Sequence, residues 1–307
     1  MENAKGYKAF APGMICRGKQ YAENTDYEEA DGAICGKGMM HYCVNPFDTL
    51  NFYDLVGENG KFSDFAEVEA LDPPVSGSDG TFAAKKLHIG AKLSFAGFVK
   101  ACIDYTKEQT IDNMPKSEIG TGDSAQIGSS GDYAKIGSSG YYAKIGSSGN
   151  YAQIGSSGYS AQIGSSGYYA KIGSSGYYAK IGSSGDYAQI GSSGNSAQIG
   201  SSGDYAQIGS SGDSAQIGSS GNSAQIGSSG NYAKINSTGE DSVICCAGSG
   251  SVVKAKAGSW ITLAEWEYSD EKGRFAPRCV KTEYVDGEKI KADTWYRLKN
   301  GEFEEVR

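Results

Sequence analysis

From Ser124 to Ile235 the chain repeats one nonapeptide, Tyr/Ser-Ala-Gln/Lys-Ile-Gly-Ser-Ser-Gly-Asp/Asn/Tyr. Ala recurs at every ninth position from Ala125 to Ala233, and Ile at every ninth from Ile127 to Ile244. Strict self-similarity at a short period is the mark of a solenoid, because each unit buries its apolar face only against the next. Tyr-Ala-Lys-Ile reads as a short strand and Gly-Ser-Ser-Gly as the corner that follows it. Strand side chains alternate in direction, so Ala and Ile are expected inward, with Tyr/Ser and Lys/Gln outward. The glycines supply the backbone angles that so frequent a corner needs.

One nonapeptide is too short to close a coil with two faces, which leaves eighteen-residue coils of two strands or twenty-seven-residue coils of three. Like residues stack on the coil above at about 4.8 Å, and like charges there repel. At a spacing of eighteen, a Gln always separates Lys135 from Lys171 and Lys144 from Lys180; at twenty-seven, Lys144 falls on Lys171. Asp does not discriminate, since Asp186 meets either Asp204 or Asp213. Spacing eighteen also builds a tyrosine ladder, Tyr133, Tyr151, Tyr169, Tyr187 and Tyr205, and a shorter one, Tyr141, Tyr159 and Tyr177. The expectation is a mainly β protein: a β-solenoid of two-strand coils, some six of them. Its thin core and open ends call for caps and favour a homo-oligomer.

The 307 residues divide into a small α+β cap (1–118), the solenoid (119–240), and a C-terminal cap of degenerate repeats and a β-hairpin (241–307). Strands are expected at Tyr7–Ala11, Ile15–Tyr21, Phe65–Leu71 and Lys86–Leu93, and a helix over Pro46–Val56. Ser94 is a good N-cap for a second helix with Phe95, Phe98, Val99, Cys102 and Ile103 on its apolar face. Pro73 to Gly80 reads as a loop. At the C-terminus, Trp260 to Trp266 reads as a strand, and Asn300-Gly301 is a favoured two-residue hairpin turn inside Lys289 to Val306. A net charge of −8 and a pI near 5.0 argue against a nucleic-acid backbone binder. No basic segment leads into an apolar run and no stretch is long enough to span a bilayer, so no membrane association is expected. Seven scattered cysteines fit a reducing compartment, and the expected location is cytoplasmic.

The blocks Lys5-Gly-Tyr-Lys-Ala-Phe, Cys16-Arg-Gly-Lys-Gln-Tyr, Gly38-Met-Met-His-Tyr-Cys-Val-Asn-Pro-Phe-Asp and Phe65-Ala-Glu-Val-Glu-Ala resemble an uncharacterised family common in phages and prophages. Its members join such a domain to Ala/Gly/Ser/Tyr-rich repeats, and the C-terminal Gly258-Ser-Trp-Ile-Thr-Leu-Ala-Glu-Trp and Asp293-Thr-Trp-Tyr-Arg-Leu blocks are similar to theirs. The resemblance implies a phage origin and carries no activity with it. More loosely, the repeats resemble the β-roll heads of trimeric autotransporter adhesins.

Chemistry-bearing residues are sparse. Cys35, His41 and Cys43 have the spacing Cys-x5-His-x-Cys, which matches no zinc motif, and no metal site or cofactor is expected. Arg17, His41, Glu67 and Glu69 follow the order seen in ADP-ribosyltransferases, where an Arg or His and a Glu hold the nicotinamide-ribose end of NAD. Glu67 and Glu69 share one face of a strand, but the Ser-Thr-Ser of that motif is missing. The repeat lacks the Lys and helix of a P-loop and the fixed Asp of calcium-binding nonapeptides. Ice binders usually present short Thr rows, whereas this face mixes Tyr with Gln and Lys. The leading expectation is a non-enzymatic protein-binding module using the tyrosines at 133, 141, 151, 159, 169, 177, 187 and 205. Its partner would be a host protein, and inhibition of a host defence factor such as a CRISPR–Cas effector is one concrete form. A virion or assembly component, an ADP-ribosyltransferase-like domain displayed on a solenoid and an ice-binding protein are the alternatives.

Overall fold

The structure is a computed structural model; it describes residues 4–29, 39–57, 61–77, 81–108 and 117–306. The chain divides into two compact units, Met1–Tyr105 and Thr106–Arg307.

In the first unit seven strands form an antiparallel sheet in the order Thr25–Glu28, Lys86–Leu93, Asp64–Ala70, Lys5–Phe10, Met40–Cys43, Thr81–Ala84, Val75–Ser76. Alternation along each strand sends side chains to two separate cores. Phe10, Tyr42, Ala66, Val68, Leu87 and Ile89 build one. Ala9, Phe47, Leu50 and Phe65 build the other, with Phe98 and Cys102 of the helix Phe95–Glu108. Ser94 caps that helix by accepting the Gly97 N–H at 3.0 Å, and Phe65 stacks on Phe98 with centroids 3.7 Å apart.

Two expected elements are corrected. The single strand expected over Ile15–Tyr21 is a two-rung hairpin, Ile15–Cys16 against Lys19–Gln20. Arg17 (φ 50) and Gly18 (φ 79) are both left-handed, which ends a strand and makes the tight turn favoured between antiparallel partners. The helix expected over Pro46–Val56 is a 3-10 helix, Pro46–Asn51, opened by Pro46 and capped by Asn45 Oδ1, which accepts the Phe47 N–H at 3.1 Å. Thr25–Glu28, Met40–Cys43 and Thr81–Ala84 are strands too short for periodicity to reveal, and Val75–Ser76 lies inside the expected loop.

The second unit is a β-solenoid with a repeat of eighteen residues per coil. Strands eighteen residues apart pair in parallel register, Ile on Ile, and Lys171 lies between Gln153 and Gln189. Two parallel ladders result. The first sheet runs from Ser117–Gly120 through Lys135–Ser138 and its successors to Val243–Cys246 and Trp260–Ser269; the second runs from Gln126–Ser129 to Val252–Lys254. That is nine parallel strands in one and eight in the other, more than six coils require. The coil already includes Ser117 and continues past Asp241 through the degenerate repeats.

The phase of the unit is also corrected. The strand is Lys/Gln-Ile-Gly-Ser, and the corner is Ser-Gly-Asp/Asn/Tyr-Tyr/Ser-Ala. Ile and Ala point inward as expected, with Ala134 to Ala233 at 0 % exposure. The first Ser of each pair is inward as well. At the last Gly of the unit the backbones of successive coils pass so closely that no side chain fits. A Cβ on Gly167 would lie 1.9 Å from the Gly149 carbonyl oxygen. That residue lies in the corner in either phase; what moves is the first Gly, which stands in the strand with open space beside it in the first sheet, so that the strand begins two residues later.

Beyond Trp260 the coil becomes antiparallel: Trp260–Ser269 pairs with Arg274–Tyr284, and Tyr296–Lys299 with Glu302–Glu305 around Asn300-Gly301 (φ 52 and 73). Val285, Ile290, Tyr296 and Leu298 join the isoleucine core and close it.

Candidate functional site

The tyrosines expected on a sheet stand instead at the corners. Tyr133, Tyr151, Tyr169, Tyr187 and Tyr205 stack at centroid spacings of 5.0, 5.2, 4.8 and 4.9 Å, with planes within 22° of parallel. Tyr141, Tyr159 and Tyr177 stack on the opposite corner at 4.8 and 5.6 Å. Each of the first five has φ between 55 and 59°, the left-handed region. That conformation costs an L-residue roughly 1–2 kcal/mol and favours Gly or Asn.

The hydrogen bonds explain how it is held. In the long-ladder corner the left-handed residue donates its N–H forward, as Tyr151 does to Tyr168 O at 2.8 Å. Before Tyr133, Tyr151, Tyr187 and Tyr205 stands an Asp or Asn whose Oδ1 accepts from the coil above, as Asp204 Oδ1 does from the Asn222 N–H at 2.7 Å; Tyr168 takes that place before Tyr169. Asp204 does stack on Asp186, and its own N–H donates to the Asp186 carboxylate at 2.9 Å. In the opposite corner, at Tyr142, Ser160 and Tyr178, the peptide is turned over: Tyr178 N–H donates back to Tyr159 O at 2.9 Å. From Asn195 onward Asn or Asp precedes there too, and Ser196, Ser214 and Tyr232 become left-handed.

A second concave feature lies between the ladders. The outward strand glycines of the first sheet, such as Gly173, Gly191 and Gly209, line a shallow groove of about 1150 Å³ flanked by Lys171, Gln189 and Gln207. Sequence reading assigned those glycines to corners and so missed it.

The third feature is a pocket of about 570 Å³ in the first unit. Lys5–Phe10 and Met40–Cys43 share the register pair Tyr7↔Cys43, and residues of both strands line the pocket with the Cys16–Lys19 turn. Asp64 anchors the turn before this hairpin: its buried carboxylate accepts the Gly13 and Met14 N–H groups at 2.7 and 2.9 Å and pairs with Lys92 at 2.6 Å. Tyr7, Tyr21, Tyr42, Phe52 and Tyr53 wall the pocket. Lys8, only 6 % exposed, donates to the His41 carbonyl at 2.6 Å and lies 5.6 Å from the Phe10 ring centroid. Burial holds the Lys8 ammonium below its ordinary pKa, while the neighbouring Cys16 sulfur opposes that shift. Burial likewise pushes the Tyr53 phenol up to about 12, helped by its hydrogen bond to Cys16.

Of the sequence-derived alternatives, Arg17 and His41 both line this pocket. Glu67 and Glu69 do not: Ala66 and Val68 face the core containing Phe10 and Tyr42, so alternation turns both glutamates to the other side of the strand, where they are exposed. The four residues are therefore not assembled into one site. Cys35 lies outside the described residues, and among those residues no three His, Cys, Asp or Glu cluster closely enough to hold a metal. No helix among them is long and apolar enough to cross a membrane. Buried Lys8 had no sequence signal beyond its place in an alternating strand.

This is a β-solenoid protein carrying a small antiparallel domain. Residues 4–101, which cover that domain, match a family model described as a domain of unknown function, DUF7666. No curated protein and no solved structure matches the chain.

Proposed function

We propose that the solenoid is a non-enzymatic binding rod whose tyrosine corners recognise a protein partner. One observation carries this: five tyrosines stand in a left-handed turn position that Gly or Asn would fill at lower cost. The turn does not need the ring, and conformational strain of this kind collects at binding surfaces. Stacking on the next ring is worth roughly 0.2–1 kcal/mol, enough to offset part of that cost. Tyr133, Tyr151 and Tyr205 remain 68, 42 and 50 % exposed. Large rigid rings with a polar tip suit protein interfaces. The resemblance to phage proteins supports a host protein as partner, and inhibition of a host defence factor is the specific form of this proposal.

The test is a triple variant, Tyr151, Tyr169 and Tyr187 each to Ser. Ser already occupies the left-handed position at Ser196, Ser214 and Ser223, so the backbone accepts it. Stability should fall modestly, by about 0.2–1 kcal/mol for each lost pair. Central aromatic anchors commonly contribute about 2 kcal/mol or more each, so capture of the partner should be lost. Capture is compared between tagged parent and variant in host lysate, alongside oligomer mass. A folded variant that captures the same protein as the parent overturns the proposal.

A further inference from the structure

We propose that the pocket of the first unit binds a small ligand carrying one anionic group, phosphate or carboxylate, on a planar ring. This site is independent of the tyrosine corners. Lys8 is buried with no carboxylate within ion-pairing distance among the described residues; its side chain bonds only the His41 main-chain carbonyl and the Cys16 thiol. An unpaired buried charge is costly and persists only where something compensates it. The lining places a second cation, Arg17, in the left-handed turn of the Ile15–Gln20 hairpin. The single carboxylate of the described lining, Glu29, is already paired with Lys19. The pocket therefore has positive charge to spare. Its walls, Tyr7, Tyr21, Tyr42, Phe52 and Tyr53, offer faces for a flat ring, and about 570 Å³ is a usual size for a small-molecule site. The chemistry is that of charge-assisted hydrogen bonds from a Lys and an Arg to an anion, the bond from buried Lys8 strengthened by its burial.

Calorimetric titration of the full chain with phenyl phosphate, benzoate and inorganic phosphate at low salt tests this. At least one ring-bearing probe should bind about tenfold more tightly than inorganic phosphate, and which one does so identifies the anion. Lys8→Met should weaken that binding at least tenfold and, because it removes an unpaired buried charge, raise the melting temperature of the empty protein. Arg17→Asn keeps a residue that tolerates the left-handed turn and should weaken binding without changing the melting temperature. The proposal is overturned if no probe binds below about 1 mM, if inorganic phosphate binds as well as the aryl probes, or if neither variant weakens binding. A fall in melting temperature for Lys8→Met with binding intact would make Lys8 purely structural.

Discussion

At Gly194 an added Cβ would lie 1.7 Å from the Gly176 carbonyl oxygen, a distance no backbone can accept; at Gly191, three residues earlier, it would meet nothing within 4 Å. Two glycines of one nonapeptide thus have opposite tolerance. Gly194→Ala should force neighbouring coils apart and cost several kcal/mol, beyond the usual range for a single substitution of about 0.5–3. Gly191→Ala adds a methyl to an open strand face and reduces unfolded-state freedom, so it should be neutral or stabilise by up to about 1 kcal/mol. Chemical denaturation of both variants checks the contrast. Comparable destabilisation of the two would show that the coils do not approach as described.

The individual coil has a core that is half apolar and half polar. Ile145, Ile163, Ile181, Ile199 and Ile217 are essentially unexposed, and two positions on from each stands a buried serine. In the first sheet the inward serines of early coils bond the corner, as Gly158 N–H does to Ser156 Oγ at 3.2 Å. In the second sheet the hydroxyls of Ser147, Ser165, Ser183, Ser201 and Ser219 have no hydrogen-bond partner among the described residues. A buried unsatisfied hydroxyl costs about 1–3 kcal/mol. Ser183→Ala should therefore raise the unfolding free energy by about 1 kcal/mol. Ile181→Asp, one residue pair away in the same strand, should instead lose more than about 4 kcal/mol, because it buries a carboxylate with no partner. Melting curves of the two single variants decide; a destabilised Ser183→Ala would mean that its hydroxyl has a partner after all.

At the scale of the molecule the eighteen-residue coil makes half-coils and whole coils unequal. Deleting residues 178–195 removes one full coil and brings Tyr169 beneath Tyr205, so the long ladder continues with one ring fewer. Deleting residues 187–195 removes half a coil. Every downstream strand then changes sheet, and Ser196 follows Tyr169 in the ladder, which stops at three rings. Nearest-neighbour stacking is the same in both, so both deletions should fold with melting temperatures close to the parent's. Only the full-coil deletion should keep the protein partner. Equal capture by the half-coil deletion would detach binding from the continuity of the ladder.

Much of this was legible in the residues. The nine-residue period, the preference of Lys for a Gln neighbour and the ladder of tyrosines settled the two-strand coil, its register and its isoleucine core, because each depends on contacts between copies of the same residue. Asn300-Gly301 and Ser94 announced a hairpin and a helix start through local chemistry alone. What tertiary structure decided depends on distances between different parts of the chain. The close pass of Gly149 beneath Gly167 is one such distance, and the corner lies two residues from where the repeat alone placed it, with the tyrosines on left-handed backbone and the serines inside. The pocket around Lys8 draws on residues from Tyr7 to Thr81, brought together by strands whose order in the sheet is not their order in the chain. A period reveals what repeats; a site made once, from residues far apart, exists only after the chain has folded.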